Sequence, residues 1–254
     1  MKINFNIFCF LFFLSSCAYF SKVQTPPQLE DKKFDDYKLV DETGTFQLKR
    51  TKGFTAGKQF VVKKMLFGID DLEKEIEQSI TISTPRKING KTNIFEPQRS
   101  ESVYWFDGGK YKTTLVFDRA NKRITVKLDS PERKWNGEKF TEIANTKAVY
   151  CFFAQLVECV ARTSFFNLSR DKKVGEMHFY VLWDGFPYFN EQYLNASERV
   201  ISPALLRYMG PTKEGHIKYE LEVEGQVIFF VIYQDTHLAK MYWVSQGLSL
   251  TVNN

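Results

Sequence analysis

The chain is poor in the residues that usually carry chemistry. Only three histidines occur in 254 residues. His178, His216 and His237 stand far apart, and none has a Cys, Asp or Glu at metal-ligand spacing on a shared helix. There is no H-E-x-x-H, no G-x-S-x-G elbow, no Walker loop and no G-x-G-x-x-G. "FDGGK" at 106–110 reads as a turn, with Gly108 and Gly109 permitting positive φ, and not as a phosphate cradle. Carboxylates are present but not posed for glycoside hydrolysis, which needs a pair facing across a cleft. Glu220, Glu222 and Glu224 alternate with apolar residues as a solvated strand requires, and Asp35-Asp36 and Asp70-Asp71 point apart if extended. No catalytic residue, metal ligand or cofactor is assigned, and the chain is read as a non-enzyme.

Concentrated charge is also missing. The formal net charge is +5, and Lys2 is the one charge in residues 1–16, so removing that segment leaves +4 (5 − 1). The basic residues come as scattered doublets such as Lys49-Arg50, Lys63-Lys64 and Lys172-Lys173, with acidic residues between most of them. Nucleic-acid binding needs basic residues gathered on one face, so it is excluded as a partner class. A hydrophobic fraction of 43% and a charged fraction of 26% are those of an ordinary globular protein. The 24 phenylalanines are read as core filling.

One apolar run stands out, Ile7–Leu14, behind Lys2. It is too short to span a bilayer, which takes about 20 residues, and has the shape of a secretory signal. It ends in Leu14-Ser15-Ser16-Cys17, and these four positions resemble the lipobox of bacterial lipoproteins. That resemblance implies cleavage before Cys17 and acylation of its sulfur and amino terminus (palmitate-type chains), with residues 1–16 as signal peptide. Two or three acyl chains at about 0.8 kcal/mol per methylene make a lasting anchor. Ala18 after the cysteine, in place of Asp, implies sorting to the outer membrane, facing the periplasm. The expected location is therefore the bacterial cell envelope.

Residues 17–36 are expected to be the lipid anchor and a tether; they include Pro26-Pro27 and a charged cluster, without periodicity. Residues 37–254 are read as one β-rich periplasmic domain. "KYKTTLVFD" and the return strand with Ile124, Val126 and Leu128 form one expected hairpin around "RANKR". "IKYELEVEGQVIFFVIYQ" forms another, turning at Gly225, with a return strand apolar on both faces.

"NTKAVYCFFAQLVECVARTSFF" breaks the alternation. Its polar residues Lys147, Gln155, Glu158 and Arg162 fall on one helical stripe, which predicts a largely buried helix over Thr146–Arg162 with Glu158 and Arg162 paired on its exposed edge. On such a helix Cys151 and Cys159 would lie about 12 Å apart, too far for a disulfide, so both are expected to be buried thiols. "SPALLRYMG" predicts a short helix with Ser202 as N-cap, Pro203 in the first turn and Gly210 at the stop. "DDLEKEIEQS" fits helix or strand.

The expected fold class is α+β, mainly antiparallel β: a curved sheet or incomplete barrel wrapped around one long helix. The order of "LVFD", a buried helix ending in Arg162, "GEMHFYVLWDG" and "LAKMYWVSQGLSL" resembles a periplasmic β family known as domain of unknown function 3108, over about residues 40–252. That family shares a general look with the lipoprotein carriers LolA and LolB, whose incomplete barrels hold acyl chains. The resemblance brings no catalytic residues. The expected function is a lipid-anchored, non-catalytic binding or assembly module at the membrane surface, with a protein or lipid ligand. A carrier or chaperone of lipophilic cargo is the alternative, and a cell-wall or polysaccharide hydrolase comes third.

Overall fold

A computed structural model describes residues 35–68, 74–88, 92–133, 136–194, 198–233 and 237–253. Its first half is a run of strands: β1 (Asp35–Asp41), β2 (Gln47–Phe54), β3 (Phe60–Phe67), β4 (Glu75–Ile88), β5 (Thr92–Phe106), β6 (Gly109–Asp118), β7 (Arg123–Asp129) and β8 (Gly137–Glu142). A short strand β9 (Tyr150–Phe152), a 3-10 turn at Phe153–Gln155, and helices α1 (Leu156–Arg162) and α2 (Phe165–Lys172) follow. Then come β10 (Glu176–Leu182), helix α3 (Tyr188–Tyr193), β11 (Ile201–Pro211), β12 (Ile217–Val223), β13 (Gln226–Tyr233), β14 (His237–Trp243) and β15 (Leu248–Asn253).

Among the described residues the fifteen strands make one open sheet, in the order β8-β7-β6-β5-β4-β3-β2-β1-β15-β14-β13-β12-β11-β10-β9. Neighbours are antiparallel except β9 and β10, which run parallel. The first and last strands pair at the middle, Leu39 opposite Val252. The ends β8 and β9 do not pair with each other, so the sheet is barrel-like without closing. Bulges at Leu66/Phe67, Ile82/Ser83, Tyr208/Gly210 and Val231/Ile232 interrupt the ladders and bend the strands that carry them.

The strands follow from alternation. In β7, Ile124, Val126 and Leu128 are buried while Arg123, Lys127 and Asp129 are exposed. In β12, Tyr219, Leu221 and Val223 face the core. Both expected hairpins are present, β6 with β7 and β12 with β13. The β12–β13 turn has Glu224 at φ 50° and Gly225 at φ 69°, a two-residue turn with both centres left-handed, which Gly makes accessible.

Three expectations fail. The long helix over Thr146–Arg162 is absent: Tyr150, Cys151 and Phe152 are extended and pair with Tyr180, Val181 and Leu182, and only Leu156–Arg162 is α-helical. All three strand residues are buried, and a strand covered on both faces has the same apolar text as a buried helix. Because Cys151 sits on that strand, its Cα is 5.8 Å from that of Cys159, and the two form a disulfide. They are not free thiols. The helix at 202–210 is also absent, since those residues lie in β11, where Ser202, Ala204 and Leu206 point inward at period two. Gly210 marks a bulge there, not a helix stop. "DDLEKEIEQS" resolves as strand from Glu75 onward, and Asp70-Asp71 lie outside the described residues.

Candidate functional site

The inner face of β2–β5 is polar although it is buried. Strand register lines up Arg50, Lys64, Ser79, Ser102 and Thr113 in one row across the sheet. Leu48, Leu66, Glu77 and Tyr104 form the row beside it, and Lys52, Val62, Thr81 and Ser100 the row on the other side. Burying ions is unfavourable unless they are paired and hydrogen-bonded. Two segments packed inside the curve meet that demand.

The first segment is the disulfide-closed stretch 151–159. Arg50 donates through Nη1 and Nη2 to the two carboxylate oxygens of Glu158, both at 2.7 Å, and through Nη2 to the Ala154 carbonyl at 2.6 Å. Lys52 Nζ stands 3.4 Å from the same carboxylate. Burial pushes the Glu158 carboxyl up, but the charge and hydrogen bonds of Arg50, with Lys52, outweigh it and hold the group at about 2. Gln155 donates to the Thr81 carbonyl at 2.9 Å and accepts from Ser83 at 2.5 Å. Glu158 is thus an internal anchor. The expected exposed pair with Arg162 does not form: Arg162 lies over the Phe95 ring, 4.7 Å from its centroid.

The second segment is the loop 183–187 and α3. The Asp184 carbonyl accepts from Ser100 and Ser102, each at 3.0 Å, and its carboxylate accepts from the Ala154 N–H at 3.0 Å. Gly185 packs so closely on the Tyr104 hydroxyl and on Phe189 that a Cβ has no room. Lys64 is ion-paired with Glu77, which also accepts from the Tyr104 hydroxyl at 3.1 Å. Burial acts to lower the Lys64 ammonium, but Glu77 and Asp184 raise it further and keep it charged. Burial pushes the Asp184 carboxyl up, with Lys64 opposing.

Between this plug and the sheet lies a cavity of about 100 Å³. Its lining is mostly apolar, with Leu39, Leu48, Leu66, Leu238, Leu248 and Leu250 from the sheet. Four rings join them, Phe153, Phe189, Tyr193 and Trp243, at separations of 4.8–5.9 Å. Arg50, Lys64 and Glu77 contribute its ionic edge. Of its lining residues Leu48, Leu66, Met241, Leu248 and Tyr193 are partly exposed, while Leu39, Leu156 and Leu250 are buried. An apolar void of about 150 Å³ stays dry and accepts the six carbons of benzene, so this one, at about two-thirds of that volume, suits a group of about four carbons.

The residues singled out from sequence are distributed elsewhere. Cys17 lies outside the described residues. His178 is exposed on β10, whereas His216 and His237, expected far apart, flank Tyr233 at 5.6 and 5.4 Å. His216 and Tyr233 of that cluster also line a second, more polar pocket of about 440 Å³, together with Glu214 and Lys240. Glu220 and Glu222 take up Arg207 at 3.0 and 2.9 Å on the solvent side. Asp35-Asp36 lie in β1. Among the described residues no group of three or more His, Cys, Asp or Glu side chains is placed to hold a metal ion, and no helix is long and apolar enough to cross a membrane.

Sequence reasoning missed Arg50, Lys52, Lys64 and Glu77. A signal existed: Arg50 and Lys52 share parity with Leu48 and Phe54 on one strand, so a buried Leu48 face places them inside too.

No family model matches the chain, and no curated protein matches it. Among solved structures it is similar to a beta-barrel-like protein of domain of unknown function DUF1849 from Brucella abortus, at 10% identity and a TM-score of 0.44. The superposition covers 87% of this chain and 94% of that one.

Proposed function

We propose that this chain is a non-catalytic binding module, held at an envelope membrane through Cys17, which reversibly takes an apolar group into the cavity between its sheet and plug. The observation that carries the reading is that cavity, lined by leucines and aromatic rings. Burying about four carbons there is worth about 3 kcal/mol, which corresponds to weak, reversible capture. The volume of about 100 Å³ also argues against a store for a whole diacyl lipid, so carriage of large lipophilic cargo is the less supported alternative. The Cys151–Cys159 disulfide fits an oxidising compartment outside the cytoplasm, as the lipobox does.

Two measurements test the two halves. Trp243 lines the cavity, so 1-bromobutane, whose bromine quenches indole fluorescence on contact, should quench the full-length protein saturably and lose that component in Trp243→Phe. Linear, non-saturating quenching would remove the binding role. Labelling cells with a fatty-acid analogue should tag the wild type and not Cys17→Ala, and an equal signal in both would remove the anchor.

A further inference from the structure

The ionic edge of the cavity is made of Arg50, Lys64 and Glu77, and each already has its counter-charge in place. Arg50 holds Glu158 through two hydrogen bonds at 2.7 Å, and Lys64 is paired with Glu77. Counted over the interior behind that edge, Arg50, Lys52 and Lys64 stand against Glu77, Glu158 and Asp184, three charges of each sign. All six residues are buried. A charged ligand would give up its hydration and meet opposite charges that are already engaged, and a buried ion without a partner is strongly disfavoured. A neutral hydrocarbon gives up nothing of that kind and gains contact with the leucines and rings of the lining.

From this balance we infer that the cavity selects a small uncharged hydrocarbon group of about four carbons, and that the Lys64–Glu77 pair is the element that rejects charged ones. The inference rests on the binding role proposed above and supplies its specificity. Glu77 is the sensitive position. Its exchange for Gln keeps an acceptor for the Tyr104 hydroxyl but removes one negative charge, leaving three buried cations against two anions, with Asp184 the remaining counter-charge of Lys64. A small carboxylate then fits where the wild type excludes it.

The test is competition against 1-bromobutane for the Trp243 signal in the full-length protein. 1-Butanol should displace it and benzene should do so more weakly, since benzene takes a void of about 150 Å³; benzene matching 1-butanol would overturn the size limit. Butyrate and butylammonium should compete at least about tenfold more weakly than 1-butanol. In Glu77→Gln, butyrate should gain about tenfold or more while butylammonium does not. If 1-bromobutane itself fails to quench saturably, the binding role fails. Saturable quenching with butyrate matching 1-butanol in the wild type leaves that role intact and overturns the charge selection. A folded Glu77→Gln that gains no butyrate affinity overturns the assignment to the Lys64–Glu77 pair, and the wild-type comparison decides the selection whether or not that variant folds.

Discussion

Arg50 of β2 and Glu158 of α1, 108 residues apart in the chain, meet inside the sheet as a two-pronged ion pair with both N–O distances at 2.7 Å. The pair fastens the plug to the wall, because the same guanidinium holds the Ala154 carbonyl. Removing one partner leaves the other buried and unmatched. Glu158→Gln is expected to lower stability by about 3–5 kcal/mol in urea unfolding, and Arg50→Met with Glu158→Leu by clearly less than the sum of the single changes. A Glu158→Gln protein within about 1 kcal/mol of wild type would show that the pair does not fasten the plug.

Acid should undo the same contact. The folded-state value of Glu158 lies at about 2, below its ordinary 4.5. A depressed carboxyl contributes stability that is fully present above about 4.5 and is lost as pH falls through about 2. Asp184, raised by burial, acts in the opposite sense: its ionised form is disfavoured in the folded state, so protonation relieves it. The midpoint of urea unfolding should therefore fall between pH 4.5 and pH 2, and Glu158→Gln should flatten that part of the profile. An unchanged slope in the variant would assign the acid sensitivity to other carboxyls.

The Cys151–Cys159 bridge closes a short loop that carries Phe153, Ala154, Leu156 and Val157 of the cavity wall. Replacing both cysteines by Ala is expected to cost about 2–3 kcal/mol by loop entropy and to weaken 1-bromobutane quenching, because the wall is less ordered. Equal stability with and without a dithiol reductant, once alkylation shows both thiols free, would count against any structural role for the bridge.

Gly185 occupies a position that a side chain cannot share. A Cβ there would lie 2.8 Å from Tyr104 Cζ and 2.9 Å from Phe189 Cβ, and nearer still to the Tyr104 hydroxyl. Gly185→Ala should lower the unfolding midpoint by the equivalent of about 3 kcal/mol. The penalty should shrink in a Tyr104→Phe background, where the nearest atom is gone. Additive effects of the two changes would mean that the loop relieves the clash by moving.

Much of the sheet was legible because half-buried strands announce themselves. Ile124, Val126 and Leu128, or Tyr219, Leu221 and Val223, alternate with charges, and Gly225 stands at the turn. Tyr150–Phe152 was illegible for the opposite reason: covered on both faces, it offers no alternation, and its apolar run merges with that of α1. The disulfide was lost with it, since its spacing argument assumed a continuous helix. The site was hidden by a rule that usually works. Lysines and arginines on strands normally mark the wet face, yet Arg50, Lys52 and Lys64 point inward, where Glu158 and Asp184 come from more than about 100 residues away and Glu77 from the neighbouring strand β4. Pairing at the longer range leaves no local trace, and the Lys64–Glu77 pair reads equally well as a cross-strand pair on a wet face.

Whether the cavity is the binding site is decided most directly by filling it. Leu238 lines the cavity and is almost fully buried, and Leu238→Phe adds a ring to the space a ligand would take. Saturable quenching of Trp243 by 1-bromobutane should disappear in a Leu238→Phe protein that keeps its sheet by circular dichroism. Quenching of undiminished affinity in that folded variant would place the ligand somewhere else and contradict the proposed site.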